Sequence, residues 1–232
     1  MLLLFTAACS FDGVGVTPGG DGDGDGDGDG DGDGDGDAGA EIDAPVPSSG
    51  TRVFVDNAGY NGTRDTFLSA MFPDVAQGTA AFIKWEQDVP EAGLLRFDDV
   101  FGFGAGQVPP NATIVDASLT LNVFDESSAT GDGSIYEVAI AWDETVTHET
   151  FGGDAGAQAD ERHPEVIDTL PTNTLGVQVF DVTTSLARWS SGERVNHGWL
   201  LESGNGNDEL CHSREAATEV DRPTLTVSFT FP

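Results

Sequence analysis

A strict alternation of apolar and hydroxyl-bearing side chains constrains the fold of this chain more than any other feature. Residues 224–231 read TLTVSFTF, so every second side chain is apolar and each one between carries a hydroxyl group. Successive side chains of a β-strand point to opposite faces, and such a segment packs one face on a core. Residues 118–123, SLTLNV, repeat the pattern. Both segments predict strands that are buried on one side.

Weaker strand patterns recur along the chain, separated by stretches rich in Gly, Pro, Asn and Asp. Many short strands joined by such turns are typical of a sandwich or barrel. The sequence therefore predicts an all-β fold for residues 51–232. The weaker segments are residues 52–55, 82–85, 94–97, 136–142, 177–182, 199–202 and 210–213.

One short helix interrupts this pattern. Val182, Leu186 and Trp189 fall at positions i, i+4 and i+7, which places them on one helical face. We expect Thr183 or Thr184 to cap its start, and Gly192 to end it. Residues 157–168 are polar and acidic, and are predicted to form a long surface loop.

The charge of the chain excludes two classes of partner. Its 232 residues carry 41 acidic and 9 basic side chains, a formal net charge of −32. Residues 51–232 hold 29 of the acids and all nine basic residues, which leaves a net charge of −20. Nucleic-acid binding depends on Lys and Arg that neutralise phosphates, so nucleic acid and anionic membrane surfaces are poor candidates.

Residues 10–50 are predicted to be a disordered, acidic linker. Asp and Gly alternate without a break from Asp21 to Asp37, and Ala, Pro and Ser follow. Such a segment has no apolar side chain to bury and cannot offset its ordering entropy. The alternative is a calcium repeat, but an EF-hand loop ends in Glu at its twelfth position, where this sequence has Gly32. The sequence therefore favours a disordered linker over a calcium repeat.

The first nine residues resemble the lipobox of bacterial lipoproteins. Apolar residues lead to Ala7, Ala8 and Cys9, and in that family the cysteine is lipidated after cleavage. The resemblance implies an exported lipoprotein of the bacterial outer membrane or cell surface, in contact with the membrane only through its lipid. An ordinary cleaved or frayed N-terminus is the alternative. Cys211 is then unpaired, and is predicted to be a small buried side chain rather than a nucleophile or metal ligand.

Several short segments of residues 51–232 match the motifs of a known domain family in the same order along the chain. One of them is the strand motif LRFD at residues 95–98, and the others are residues 65–68, 108–114, 117–121, 180–183, 196–201, 213–215 and 222–227. Together they resemble the DNRLRE-type domains grouped with carbohydrate-binding module family 96. The resemblance implies an antiparallel, jelly-roll-like β-sandwich that is exported and tied to glycan binding or appended to surface enzymes.

Aromatic side chains are the first candidates for a glycan site, because a ring combines apolar area with a definite geometry. Trp85 and Tyr60 are the predicted stacking residues, with packing at an edge as the alternative. Arg96 either contacts sugar or pairs with Asp98 on the same strand face. Trp142, Trp189 and Trp199 are predicted to belong to the core.

Calcium is the metal that the acidic side chains favour, because it prefers hard oxygen ligands. The candidate ligands are Asp65, Asp98 and Glu215, with Asp99 and Asp221 as further contributors, and solvated surface is the alternative for each. The four histidines lack zinc spacing. A nucleophile elbow is absent from the sequence, and so is a Cys/His signature.

These observations predict a non-catalytic cell-surface lipoprotein that displays a carbohydrate-binding module for a polysaccharide or surface glycan. No cofactor is required, although calcium could support the site. The alternative is a structural or adhesive domain that docks a protein or envelope partner and binds no sugar. A third reading, a hydrolase, needs a pair of carboxylates that the sequence does not single out.

Overall fold

The computed structural model of the protein describes residues 48–126, 131–206 and 208–231. Cys9, the predicted signal segment and the linker up to residue 47 lie outside these residues. The last three residues assigned to the linker belong to the first strand, which begins at Ser48. The predicted boundary at residue 51 falls within this strand.

Eleven strands in the described residues form two antiparallel sheets. Sheet 1 has the order β1-β11-β5-β10-β3, and β8 also pairs with β5. Sheet 2 has the order β2-β4-β9-β6-β7. The predicted all-β sandwich is confirmed. The strands are β1 (Ser48–Val55), β2 (Thr63–Ser69), β3 (Phe82–Trp85), β4 (Glu91–Phe97), β5 (Thr113–Asp125), β6 (Gly133–Val138), β7 (Arg162–Leu170), β8 (Gly176–Asp181), β9 (Trp199–Glu202), β10 (Glu209–His212) and β11 (Thr224–Phe231).

The core lies between the inner faces of the two sheets. Leu225 and Val227 of β11 are fully buried, while the hydroxyl-bearing residues between them are partly exposed, as the alternation predicts. Residues that pair across strands share a face, and so the same rule places Leu119 and Leu121 of β5 beside them.

The helix α1 (Thr183–Ser191) is confirmed, and Gly192 ends it in the left-handed region at φ 74°. Its start differs from the prediction. The Asp181 carboxylate, not a threonine hydroxyl, accepts the Thr183 N–H at 2.9 Å. The Thr183 hydroxyl instead accepts the backbone N–H of Ala117 at 2.9 Å, which ties the helix to β5.

Two predicted boundaries were wrong. The strand assigned to residues 136–142 ends at Val138. Most of the loop assigned to residues 157–168 is strand β7, which pairs with β6 at the edge of sheet 2. An edge strand with both faces partly exposed does not need apolar alternation, and for that reason its sequence looked like a loop.

Residues 139–161, here named the cover loop, connect β6 to β7 and lie over the outer face of sheet 2. Its ends are adjacent, because the N–H of Ala139 donates to the carbonyl oxygen of Glu161 at 2.8 Å. Trp142 and Phe151 pack onto Leu94 and Leu200, which form a second apolar cluster outside the main core. No helix in the described residues is both long and apolar enough to span a membrane.

Candidate functional site

A cavity of about 210 Å³ opens where the cover loop meets sheet 2 and the turn between β3 and β4. We name it the loop pocket. Its apolar floor is formed by short or compact side chains, and carboxylates and neutral polar groups surround that floor. The floor consists of Leu68, Pro90 and Ala92, the cover loop contributes Gly156 and Ala157, and the polar residues are Glu86, Gln87, Glu91, His148, Glu202 and Ser203.

The strand register explains why carboxylate and methyl groups meet here. Leu68 of β2 pairs with Ala92 of β4, and Ala92 pairs with Glu202 of β9. Paired residues share a face, so these three side chains form one row on the outer face of sheet 2. The cover loop then adds His148 and Ala157 above the row.

Glu91 is a buried anchor of the pocket. Its side chain is 3% exposed, and its Oε2 lies 2.6 Å from Lys84 Nζ. The hydroxyl group of Ser69 donates to its other oxygen. Lys84 also lies 2.9 Å from Glu86 and 3.3 Å from Asp208, so one lysine holds the turn and the pocket wall together.

Glu202 is the most open of the three pocket carboxylates. Its side chain is 26% exposed, against 11% for Glu86. Arg162 lies 3.3 Å from its Oε2 and is itself held over the ring of Tyr136, 3.6 Å from the ring centroid. Burial raises the pKa of Glu202 above its ordinary value, and the charge of Arg162 opposes this.

Three buried side-chain atoms of loop-pocket residues lack a hydrogen bond in the described residues, and one of them, Glu91 Oε2, has the Lys84 ammonium group as its ion-pair partner. His148 Nδ1 and Ser203 Oγ have no hydrogen bond within the part of the chain that the structure describes. A buried polar atom without a partner costs about 1–3 kcal/mol, so native proteins rarely keep one without a reason. Both residues line the same cavity.

A second cavity, of about 380 Å³, lies between β1 and the loops that follow β1 and β4. It contains Tyr60, but its main polar groups are already occupied. The Tyr60 hydroxyl donates to the carbonyl oxygen of Asp98 at 2.7 Å, and the amides of Gln107 and Asn57 donate to Asp99 O and Glu219 Oε1. The loop pocket is therefore the stronger candidate site.

The structure corrects the prediction for Trp85. Its side chain is 1% exposed and lies in the main core, so neither ring face is open to a sugar. Its indole N–H donates to Glu209 Oε2 at 2.7 Å. The signal was present in the sequence, because Trp85 stands two residues after Ile83 and shares its inward face.

The other two predicted sugar contacts are engaged within the protein. Tyr60 is half-buried and packs edge-on against Phe54, with 5.3 Å between ring centroids. Arg96 Nε lies 2.6 Å from Asp98 Oδ1, which is the predicted ion pair. The same guanidinium donates to the Trp142 carbonyl oxygen at 2.8 Å and so fastens the cover loop. Trp142, Trp189 and Trp199 are buried, as predicted.

The structure does not bring Asp65, Asp98 and Glu215 together as a calcium site. Asp98 lies between Arg64 and Arg96. Asp65 and Glu215 lie instead around Arg214, whose backbone N–H donates to Asp65 Oδ2 at 2.8 Å.

In the group around Arg214, the guanidinium group occupies the position between the carboxylates where a metal cation would bind. Arg214 Nε is 2.8 Å from Glu144 Oε1 and 2.8 Å from Glu215 Oε1. Burial raises the pKa of Asp65 well above its usual range, and the hydrogen bond from Arg214 opposes this. Asp221 accepts from Asn122 at 2.7 Å. Among the described residues no three His, Cys, Asp or Glu side chains form a group that could hold a metal ion.

Cys211 is buried, as predicted, on the inward face of β10. Burial raises the pKa of its thiol, which keeps the sulfur protonated and unreactive.

Sequence reasoning missed every polar residue of the loop pocket. The alternation in β9 does place Leu200 and Glu202 on one face, opposite Trp199 and Leu201. What it does not reveal is that a loop covers that face. No protein-family model and no curated protein matches the chain.

Proposed function

We propose that this protein is an exported lipoprotein whose β-sandwich is a non-catalytic carbohydrate-binding module, with the loop pocket as the glycan site. The observation that carries the proposal is the pair of unpartnered polar atoms, His148 Nδ1 and Ser203 Oγ, beside an apolar floor. The resemblance of the sequence to DNRLRE-type domains supports the same function.

The chemistry of the pocket suits a sugar ring. A pyranose has an apolar CH face and a rim of hydroxyl groups. Ala92 and Pro90 offer a surface for the face, and Glu202 offers acceptors for the hydroxyls. At about 210 Å³ the cavity is smaller than the ~300–1,000 Å³ typical of drug-sized ligands, which favours one ring or a chain end.

The alternative function, adhesion to a protein or envelope partner, has support from a different surface. Val177 and Val179 of β8 are 66% and 63% exposed on the outer face of sheet 1, and Val53 of β1, which is separated from β8 by two strands, is 58% exposed. Exposed apolar side chains on a sheet face can contact a partner. The two functions use different faces of the sandwich, so variants can separate them.

Ser203→Ala is expected to weaken glycan binding without weakening the fold. The Ser203 hydroxyl has no partner in the described residues, so its removal breaks no hydrogen bond and leaves the Tm unchanged or slightly higher. Loss of one hydrogen bond to a ligand predicts about fivefold lower affinity. The probe is a glycan array, read with the full chain in calcium and again with a chelator, followed by titration of the best hit.

The matched control is Ser191→Ala, since the exposed Ser191 hydroxyl bonds only to the helix carbonyl of Arg188. It should leave affinity unchanged. A blank array from folded protein in both conditions contradicts the proposal and favours adhesion. Loss of signal with the chelator would place calcium in the site.

Cys9→Ser is expected to abolish lipidation. In a bacterium that expresses the full upstream reading frame, labelled palmitate should enter the wild type and not this variant. Cys211→Ser is the control, because Cys211 is buried in the sandwich and should leave the label in place. Equal labelling of wild type and Cys9→Ser, or no label in either, contradicts the lipoprotein assignment.

A further inference from the structure

The loop pocket carries more negative than positive charge. Glu86, Glu91 and Glu202 line it, and Asp208 joins the first two through Lys84. Lys84 and Arg162 are the basic side chains that contact these four acids in the described residues. With His148 counted as neutral, the group has a net charge of −2. An anionic sugar would meet this charge without a basic partner of its own.

Glu202 is the acid on which a cation would have the largest effect. Glu91 is not accessible to a ligand, because Ser69 and Lys84 contact its two oxygens and its side chain is 3% exposed. Glu202 has one ion pair, at 3.3 Å, and a quarter of its side chain remains exposed. Its partner Arg162 also contacts the ring of Tyr136, so the carboxylate and the ring share one guanidinium group.

Resting on the proposed function, we infer that the loop pocket selects amino sugars, with the ligand's ammonium group beside Glu202 and its ring on the floor formed by Ala92 and Pro90. The ammonium group supplies the charge that the pocket lacks. The sugar hydroxyls reach Ser203 and His148. A hexosamine with a free amine, as in a deacetylated glycan, has both features on one ring.

The size of the cavity and the overall charge favour the same class. A simple amine would fill little of the roughly 210 Å³ and would leave Ser203 unpartnered. The net charge of −20 on residues 51–232 attracts a polycationic glycan from a distance, an effect that salt weakens.

The test is calorimetric titration of the full chain with methyl glucosaminide, its N-acetyl derivative, methyl glucoside and putrescine. The free-amine sugar should bind about tenfold more tightly than the N-acetyl and neutral sugars, as one added charge-assisted hydrogen bond predicts. Putrescine should bind more weakly than the amino sugar. Raising the salt concentration from ~0.1 M to ~1 M shortens the Debye length to about 3 Å. The difference in affinity between the free-amine sugar and the neutral sugars should then decrease.

Glu202→Gln should reduce the preference for the amine over the neutral sugar to about twofold or less, because the amide lacks the charge that pairs with the ammonium group. Glu193→Gln, which removes an exposed carboxylate at the end of α1, is the matched control and should retain the full preference. Equal binding of amine and neutral sugars overturns the inference and leaves the proposed function intact. Equal binding of putrescine and the amino sugar also overturns it, and no binding of any sugar overturns both.

Discussion

Trp85→Ala is expected to lower the free energy of unfolding by about 3–5 kcal/mol, the range for a large aromatic removed from a packed core. Trp85 is among the largest fully buried side chains of the described residues. The substitution leaves a cavity. It also removes the indole N–H that donates to Glu209, a carboxylate that is itself buried. Urea denaturation followed by circular dichroism measures the change.

Two further variants identify the cause. Trp85→Phe keeps most of the volume and loses the hydrogen bond to Glu209, so about 1–3 kcal/mol is expected. Phe103→Ala removes an aromatic ring that is 93% exposed and should stay within about 0.5 kcal/mol of the wild type. If Trp85→Ala retained its stability but lost glycan binding, Trp85 would have to be a surface stacking residue after all.

Glu137→Gln is the second variant with a large expected effect, about 3–5 kcal/mol of lost stability. The Glu137 carboxylate is 1% exposed and accepts from Ser185 Oγ at 3.1 Å. Arg188 Nη1 and Arg194 Nη1 lie 3.2 Å and 3.0 Å from its two oxygens. Gln removes the charge that these partly buried guanidinium groups share, and turns one acceptor into a donor that faces them.

Glu165→Gln is a close control, because Glu165 pairs with the same two arginines at 2.7 Å and 3.0 Å. Its side chain is 52% exposed, so solvent screens the pair and a much smaller loss of stability than for Glu137→Gln is expected. Thermal unfolding of both variants gives the comparison. Equal losses of stability in Glu137→Gln and Glu165→Gln would mean that the burial of Glu137 adds nothing to the stability that its ion pairs contribute.

The strands were predictable because their alternation is a local consequence of burying one face. In β11, for example, Leu225 and Val227 lie on the apolar face, and that face has to pack on the core. Strand β7 was missed because an edge strand need not bury either face, and its acidic sequence matched a loop equally well. The start of α1 was misplaced because two hydrogen-bonding residues, Asp181 and Thr183, stand close together and tertiary contact with β5 decides between them.

The candidate site was not predictable, because it depends on contacts between distant segments. Trp85 stands between the charged residues Lys84 and Glu86, but strand alternation directs Lys84 to the opposite face of β3 and Trp85 into the core. The acids predicted to bind calcium lie against Arg214 and Arg96, and no spacing in the sequence shows that pairing. The loop pocket arises only when residues 139–161 close over sheet 2, where Glu202 and His148 meet.

The pairing of β1 with β11 determines how the domain responds to mechanical load. The chain enters the sandwich at Ser48, opposite Phe231, and eight residue pairs run in register to Val55 and Thr224. A pull along the strand axis through the segment before Ser48 loads all eight pairs together in shear, whereas a sideways pull opens them one at a time from the Ser48 end. The pairing of β1 with β11 therefore resists a force along β1 better than a force across it.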